Sequence, residues 1–236
     1  MKYILLIFMF LPYSSFAMKS LNPIENPNVE KIYIQQNLLY LTGDISDQSV
    51  GKVMTMIEAS KQKVRTIVVN SLGGDLKAGI KLGSWIYNNN ISLIVNGFCA
   101  SSCANYLFTA AKTVHITHNS VVMWHGGATQ ESLLADPTNK DEVKWYFDLI
   151  KLETEFFQRI GVQQLITTYG QLNNFVKLDN TPACVEGNKK GQIQGWTYTL
   201  NDLKVFGVNR VTFDDATPAV GFRGKLMSCI VSLDER

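Results

Sequence analysis

Two stretches of this chain carry residue types that can do chemistry together. The first, Asn96-Gly97-Phe98-Cys99-Ala100-Ser101-Ser102-Cys103-Ala104, reads as a strand that breaks at small residues and turns into a helix. A serine at that turn presents its hydroxyl at a helix N-terminus. The second, Asn119-Ser120-Val121-Val122-Met123-Trp124-His125, reads as a short strand delivering a histidine. A hydroxyl becomes a nucleophile when a base lies within hydrogen-bond reach, and imidazole is the usual base. Acyl transfer also needs preorganised donors for a developing oxyanion, which a helix N-terminus and bare backbone supply. Gly73-Gly74, after a buried strand, offers N–H groups with no side chain in the way. If Ser102 attacks, the N–H of Cys103 is a second natural donor, and His125 is the base. Taken singly, a diglycine turn is a turn, a serine at a helix start is a cap and a lone histidine is structural; their combination in this order is what points to a hydrolase.

The elements that would position these groups alternate. Ile32-Tyr33-Ile34 and Leu38-Leu39-Tyr40-Leu41 flank a turn and read as a hairpin. Ser46 or Asp47 caps a helix carrying Val50, Val53, Met54 and Ile57. Thr66 to Val69 is a buried strand, and the diglycine turn leads to a helix with Leu76, Ile80, Gly83 and Tyr87 on one face. Ile91 to Val95 is the next strand, the serine turn opens a helix from Ser102 to Ala111, and Thr113 to Ile116 and Val121 to Met123 are short strands. Strand and helix in alternation predict an α/β fold with parallel pairing and right-handed crossovers. From Lys140 to Arg159 the pattern is a long helix, with Val143, Phe147, Ile150, Thr154 and Phe157 on one side and Lys144, Asp148, Lys151 and Glu155 on the other. The segment from Gln171 to Gly195 reads as loop, Leu200 to Lys204 as a short helix, and Val208 to Phe213 with Leu226 to Leu233 as a closing β-pair.

The N-terminus opens Met1-Lys2-Tyr3, runs apolar from Ile4 to Leu11 and reaches Ser15-Phe16-Ala17, the pattern of a secretory signal cut after Ala17. The reading is therefore a signal peptide over 1–17, a linker over 18–30 and one catalytic domain over 31–236 ending in a β extension. The product would be exported, to the periplasm or outside the cell. With 22 basic and 20 acidic side chains in all, and no basic run, nothing points to nucleic acid. Four cysteines follow the signal: Cys99, Cys103, Cys184 and Cys229. In an exported chain they can form two disulfides, Cys184 with Cys229 joining the late segments and Cys99 with Cys103 closing a tight loop around the serines. Cys-x-x-x-Cys alone is too small a ligand set for zinc, and His115 and His118 read as structural, so no metal and no cofactor is expected.

These motifs together resemble the Clp protease proteolytic-subunit (ClpP) family, within the ClpP/crotonase fold. Leu41 to Asp47 resembles that family's opening strand and turn, and Asn70-Ser71-Leu72-Gly73-Gly74, with Ala78-Gly79 after it, resembles its Asn-Ser-Pro-Gly-Gly segment, Leu72 replacing the proline. Ser102 to Leu107 resembles the nucleophile helix and Asn119 to His125 the strand ending in the catalytic histidine. Phe206-Gly207-Val208 resembles a late Tyr-Gly-Leu-type turn, and the helix from Lys140 sits where the family has a projecting handle. The resemblance covers roughly residues 30 to 212. It implies a spiral of βαβ units with a projecting long helix, a serine peptidase mechanism through Ser102 and His125, oxyanion donors at Gly73, Gly74 and Cys103, and a homo-oligomer.

Two departures qualify it. Counting back from Ala104 and Ala110-Ala111 favours Ser102 as nucleophile, while counting forward from Gly97 favours Ser101. The catalytic aspartate should precede Trp196, yet Gly187 to Gln192 holds no acid; Asp179 and Glu186 lie upstream as weak third members. The expected function is thus an exported, ATP-independent serine peptidase acting on peptides or unfolded segments. No ATPase partner is expected, because ATP is essentially absent outside the cytoplasm. The alternatives are a catalytically degenerate binding or assembly module of the same fold, a crotonase-like acyl-thioester enzyme, and a cysteine nucleophile at Cys103.

Overall fold

The computed structural model describes residues 25–60, 63–172, 177–215, 221–223 and 226–233; the signal reading over 1–17 lies outside them. Strands β1 (Lys31–Gln35) and β2 (Leu38–Thr42) form the antiparallel hairpin. Helix α1 (Asp47–Ala59) starts at Ser46, whose hydroxyl accepts from Ser49 N while Ser49 Oγ accepts from Ser46 N, a reciprocal cap. Strand β3 (Thr66–Ser71) leads through the diglycine turn to α2 (Leu76–Asn88), capped by the Asp75 carboxylate on Ala78 N at 2.7 Å. Strand β4 (Ser92–Ala100) follows, then a π-helical segment Cys103–Phe108, β5 (Val114–Ile116), β6 (Val121–Met123) and the long helix α3 (Lys140–Ile160). Gly161, at φ 69°, ends α3 in the left-handed position that suits glycine. The chain closes with β7 (Lys177–Leu178), α4 (Pro182–Lys189), β8 (Gly195–Thr197), α5 (Leu200–Val205), β9 (Val211–Phe213), β10 (Gly221–Arg223) and β11 (Leu226–Ser232).

The central sheet has seven strands in the order β1-β2-β3-β4-β5-β9, with β6 also on β4. Beyond the hairpin every pairing in it is parallel. The long strand β4 serves two neighbours in turn. Leu93–Val95 pairs with β5, and Phe98–Ala100 pairs with β6. Gly97 sits at the changeover with φ 120°, and its N–H donates to Ser120 Oγ at 2.8 Å. This bond lays β5 and β6 end to end along one edge of β4, so the chain arrives at His125 beside the end of β4.

Three expectations are corrected here. Val208–Phe213 and Leu226–Leu233 do not pair. Instead β9 adds to β5 in the central sheet, and β11 joins β10, β7 and β8 in a separate four-stranded sheet. The segment read as loop contains helix α4, because Thr181 caps it and Pro182 stands in the first turn, where a missing N–H costs nothing. The buried stripe of α3 is also rotated from the one read in the sequence, and that of α2 is shifted at its C-terminal end. On α2 the core takes Ile80 and Gly83 as read, with Leu76 packed against it, and also Ala78, Gly79, Leu82 and Ile86, while Tyr87 is 41% exposed. On α3 it takes Tyr146, Leu149, Glu153, Phe156 and Phe157 while Phe147 is 60% exposed. Glycine decides the first case: an added Cβ at Gly79 or Gly83 would come within 2.5 Å of Tyr106, so α2 lies directly on the π-helical segment.

Both disulfides are formed. Cys99–Cys103 joins the end of β4 to the π-helical segment, and Cys184–Cys229 joins α4 to β11. Two such bonds fit an oxidising compartment. Among the described residues no helix is long and apolar enough to cross a membrane. Cys103 is buried and bonded to Cys99, so the cysteine-nucleophile alternative is overturned: no thiol is present there.

Candidate active site

β4 ends at Ala100, and the next residue, Ser101, has φ 54°. A non-glycine residue in the left-handed region at a strand-to-helix turn is held there against its own preference, and such strain clusters at functional sites. Ser101 is held by its own N–H, which donates to Met123 O at 3.0 Å, and by its carbonyl, which accepts from Asn105 N at 2.8 Å. Its side chain is half-buried. Ser102 starts the helical turn, is 1% exposed, and its hydroxyl donates to Gly74 O at 2.7 Å. The two adjacent serines therefore stand in different environments, one hydroxyl at the rim and the other sealed against the diglycine turn.

Gly73 lies directly under this elbow. An added Cβ would fall 2.6 Å from Ser101 Cβ and 2.9 Å from Ser102 N, and φ is 101°. Glycine is required here for close approach and for backbone conformation alike. The Gly73 N–H donates to Ser71 Oγ at 3.1 Å. Gly74 is exposed, and an added Cβ there would reach Ile45 O at 2.2 Å. The N–H groups of Ser102 and Cys103 open the helical segment, where first-turn N–H groups lack intrahelical acceptors. Cys103 itself, fully buried and cross-linked, contributes backbone only.

His125 follows β6, two residues beyond Met123, which is paired with Ala100. Its ring is exposed. Partial desolvation by the protein on one side lowers its pKa from the ordinary 6.5, outweighing an opposing hydrogen bond to its own backbone. The imidazole is thus neutral at neutral pH, the form that accepts a proton.

The third members proposed from sequence are elsewhere engaged. Asp179 accepts from the N–H of Thr181, the cap residue of α4, at 2.9 Å and from Ile230 N at 2.8 Å. Glu186 pairs with Lys190 at 3.0 Å. Among the described residues no carboxylate is recorded as bonded to the His125 ring. The segment that runs beside the histidine strand is Gly195-Trp196: Trp124 and Trp196 exchange two backbone hydrogen bonds of 2.8 Å, and an added Cβ at Gly195 would lie 2.5 Å from Trp124 O. Glycine is what fits there.

In place of an acid, the backbone around His125 is tied at several points. Gln171 Nε2 donates to the His125 carbonyl at 3.0 Å, and Asn105 Nδ2 donates to the Gly126 carbonyl at 2.7 Å. Ala128 N–H donates to both carboxylate oxygens of Glu153 at 3.1 Å. Asn105, Gln171 and Glu153 were not singled out as site residues by sequence. Glu153 carries no signal in the sequence either, because the acid falls off the apolar stripe of Val143, Phe147, Ile150, Thr154 and Phe157 read there and is placed in the core only by packing.

His115 and His118 pair with Asp214 and Asp215 at the far edge of the sheet. The carboxyl and sulfur atoms of Asp179, Cys184 and Cys229 lie close together, but both sulfurs are spent in the disulfide. Two large clefts among the described residues also lie away from the serine elbow: one of about 620 Å³ is lined by Tyr87, Lys112 and Arg210, another of about 630 Å³ by Tyr33, Lys52 and Met56. No protein-family model matches this chain, and no curated protein matches it.

Proposed function

We propose that this protein is an exported serine peptidase of ClpP-like fold, cleaving peptide bonds through an acyl-enzyme, with Ser101 as nucleophile and His125 as base. The observation that carries the reading is the pair of serine environments: Ser101 is held at φ 54° at the rim, whereas the Ser102 hydroxyl is buried on Gly74 O. The neighbouring motif serine, Ser102, then serves through its N–H rather than its hydroxyl, since the N–H after the nucleophile is the natural oxyanion donor.

In this mechanism Ser101 Oγ attacks the peptide carbonyl carbon as its proton passes to His125. The carbonyl oxygen takes up the negative charge and is met by Ser102 N–H and the diglycine N–H groups. Gly73 N–H must leave Ser71 Oγ to take part, which an oxyanion favours because charge-assisted bonds are stronger than neutral ones. The tetrahedral intermediate expels the amine, which takes the proton from His125. Water repeats the sequence to release the acid and restore the serine.

The elbow stands outside the two large clefts, which suits extended or unfolded peptide rather than an enclosed small molecule. The ClpP/crotonase spiral and homo-oligomeric assembly belong to this proposal. So does export by a cleaved signal; two disulfides support that part. That no carboxylate among the described residues bonds the His125 ring favours a second reading, a catalytically degenerate assembly module. A fluorophosphonate probe on the purified mature chain separates them. Covalent labelling lost in Ser101→Ala supports the peptidase; a wild-type protein that takes no probe leaves the degenerate module.

A further inference from the structure

Helix α3 carries a carboxylate, Glu153, that is 0% exposed, and an ionised group in that position is costly unless its oxygens are fully occupied. Each is. Oε1 accepts from the Tyr106 hydroxyl at 2.6 Å, Oε2 from Gln164 Nε2 at 2.7 Å, and both from Ala128 N–H. The Gln164 amide is oriented for this by Thr154 Oγ1, which donates to its other end at 2.9 Å. Gly127 makes the approach possible, since an added Cβ would sit 2.8 Å from Glu153 Oε1.

The donors come from separate parts of the site. Tyr106 lies on the π-helical segment that follows Ser101, and Ala128 on the loop that follows His125. One carboxylate therefore spans the two arms that present nucleophile and base. A buried apolar side chain at this position would leave that loop untied.

We propose that Glu153 is a positioning residue for His125: its buried carboxylate holds the histidine loop against the nucleophile helix and takes over the orienting task for which no acid among the described residues contacts the ring. This rests on the peptidase reading for its catalytic meaning, but the positioning itself is measurable without turnover. The Tyr106 tie is also the reason the nucleophile helix and α3 meet at a polar contact inside an aromatic cluster of Phe156 and Phe157.

The test is Glu153→Gln in the full mature chain. The substitution keeps the volume but turns an amide donor toward Ala128 N–H or the Gln164 amide. Three results are expected. Hydrogen exchange at the Ala128 amide accelerates at least about tenfold. The NMR titration midpoint of the His125 imidazole moves toward the ordinary histidine value. The maximal acylation rate by the fluorophosphonate falls by about 10- to 100-fold, with the half-saturating probe concentration unchanged. A loss of global stability alone would move neither the titration of His125 nor that split. Unchanged exchange and titration overturn the inference. If Glu153→Gln does not fold, Tyr106→Phe cuts the helix end of the same tie, and an unchanged His125 titration and acylation rate there overturns it equally. If the wild-type chain takes no probe, the peptidase reading fails while exchange and titration still decide the role of Glu153.

Discussion

The Ser102 hydroxyl donates to the Gly74 carbonyl at 2.7 Å, which ties the start of the π-helical segment to the diglycine turn. That bond gives Ser102 a structural task and leaves the neighbouring Ser101 to face outward. Ser102→Ala is therefore expected to keep fluorophosphonate labelling while lowering stability by about 1–2 kcal/mol, the cost of leaving a carbonyl without its donor. Ser101→Ala should leave the urea midpoint nearly unchanged and remove labelling. Loss of labelling on Ser102→Ala, with retention on Ser101→Ala, would return the nucleophile to Ser102.

The lowered pKa of His125 sets a pH dependence for acylation. A base works when deprotonated, so the acid limb of the rate profile should lie below the 6.5 of an ordinary histidine. The same shift has a stability consequence. Because the folded pKa is below the unfolded one, the unfolded chain binds more protons between those two values, and His125 contributes stability that is lost as pH falls through that window. His125→Gln should remove catalysed acylation at every pH and flatten this part of the stability curve, as read by urea denaturation from pH 5 to 7. A limb at or above 6.5 would contradict the neutral, partly desolvated ring.

Helix α3 turns Trp145 and Phe147 outward, 42% and 60% exposed, beside the i,i+4 ion pairs Lys144–Asp148 and Lys151–Glu155. Lys77 Nζ stands 6.0 Å from the Trp145 ring, so Phe147 is the larger uncovered apolar group of the two. If copies of this chain assemble through the helix, Phe147→Asp should lower the mass found by sedimentation, with the thermal midpoint of the separated chain unaltered. An unchanged mass would place any assembly contact elsewhere.

Much of this arrangement was legible in the sequence, for reasons visible residue by residue. The β-branched run Thr66 to Val69, the Ser46 cap and the Gly73-Gly74 break are local signals, and β3, α1 and α2 follow them closely. The serine elbow and the histidine strand were found because small residues and a terminal imidazole mark them. Which serine faces outward was not legible, because it depends on one φ angle and on a bond to Gly74, 28 residues away. The face of α3 was misread for a related reason. Phe147 and Tyr146 are both apolar enough to be core, and only packing on Tyr106 selects the register that buries Glu153. The late strands were mispaired because β9 finds β5 and β11 finds β8 across long stretches of chain, a choice that alternation of residue types does not encode.

The two disulfides should separate stability from activity. Cys184–Cys229 closes 45 residues and Cys99–Cys103 closes 4. Loop-closure entropy alone assigns them about 4 and about 2 kcal/mol, so the Cys184→Ala/Cys229→Ala variant should lose more in urea denaturation than Cys99→Ala/Cys103→Ala. Activity should rank the other way. Cys99–Cys103 brackets Ala100-Ser101-Ser102 and removes freedom from the strand end and the helix start on either side of the elbow, whereas Cys184–Cys229 fastens the second sheet. The shorter loop is therefore expected to cost about tenfold or more in maximal acylation rate by letting Ser101 relax from its left-handed backbone, a small stability loss acting through misplacement of one hydroxyl. Equal acylation rates in the two variants would show that the elbow is held by the Met123 and Asn105 backbone bonds alone.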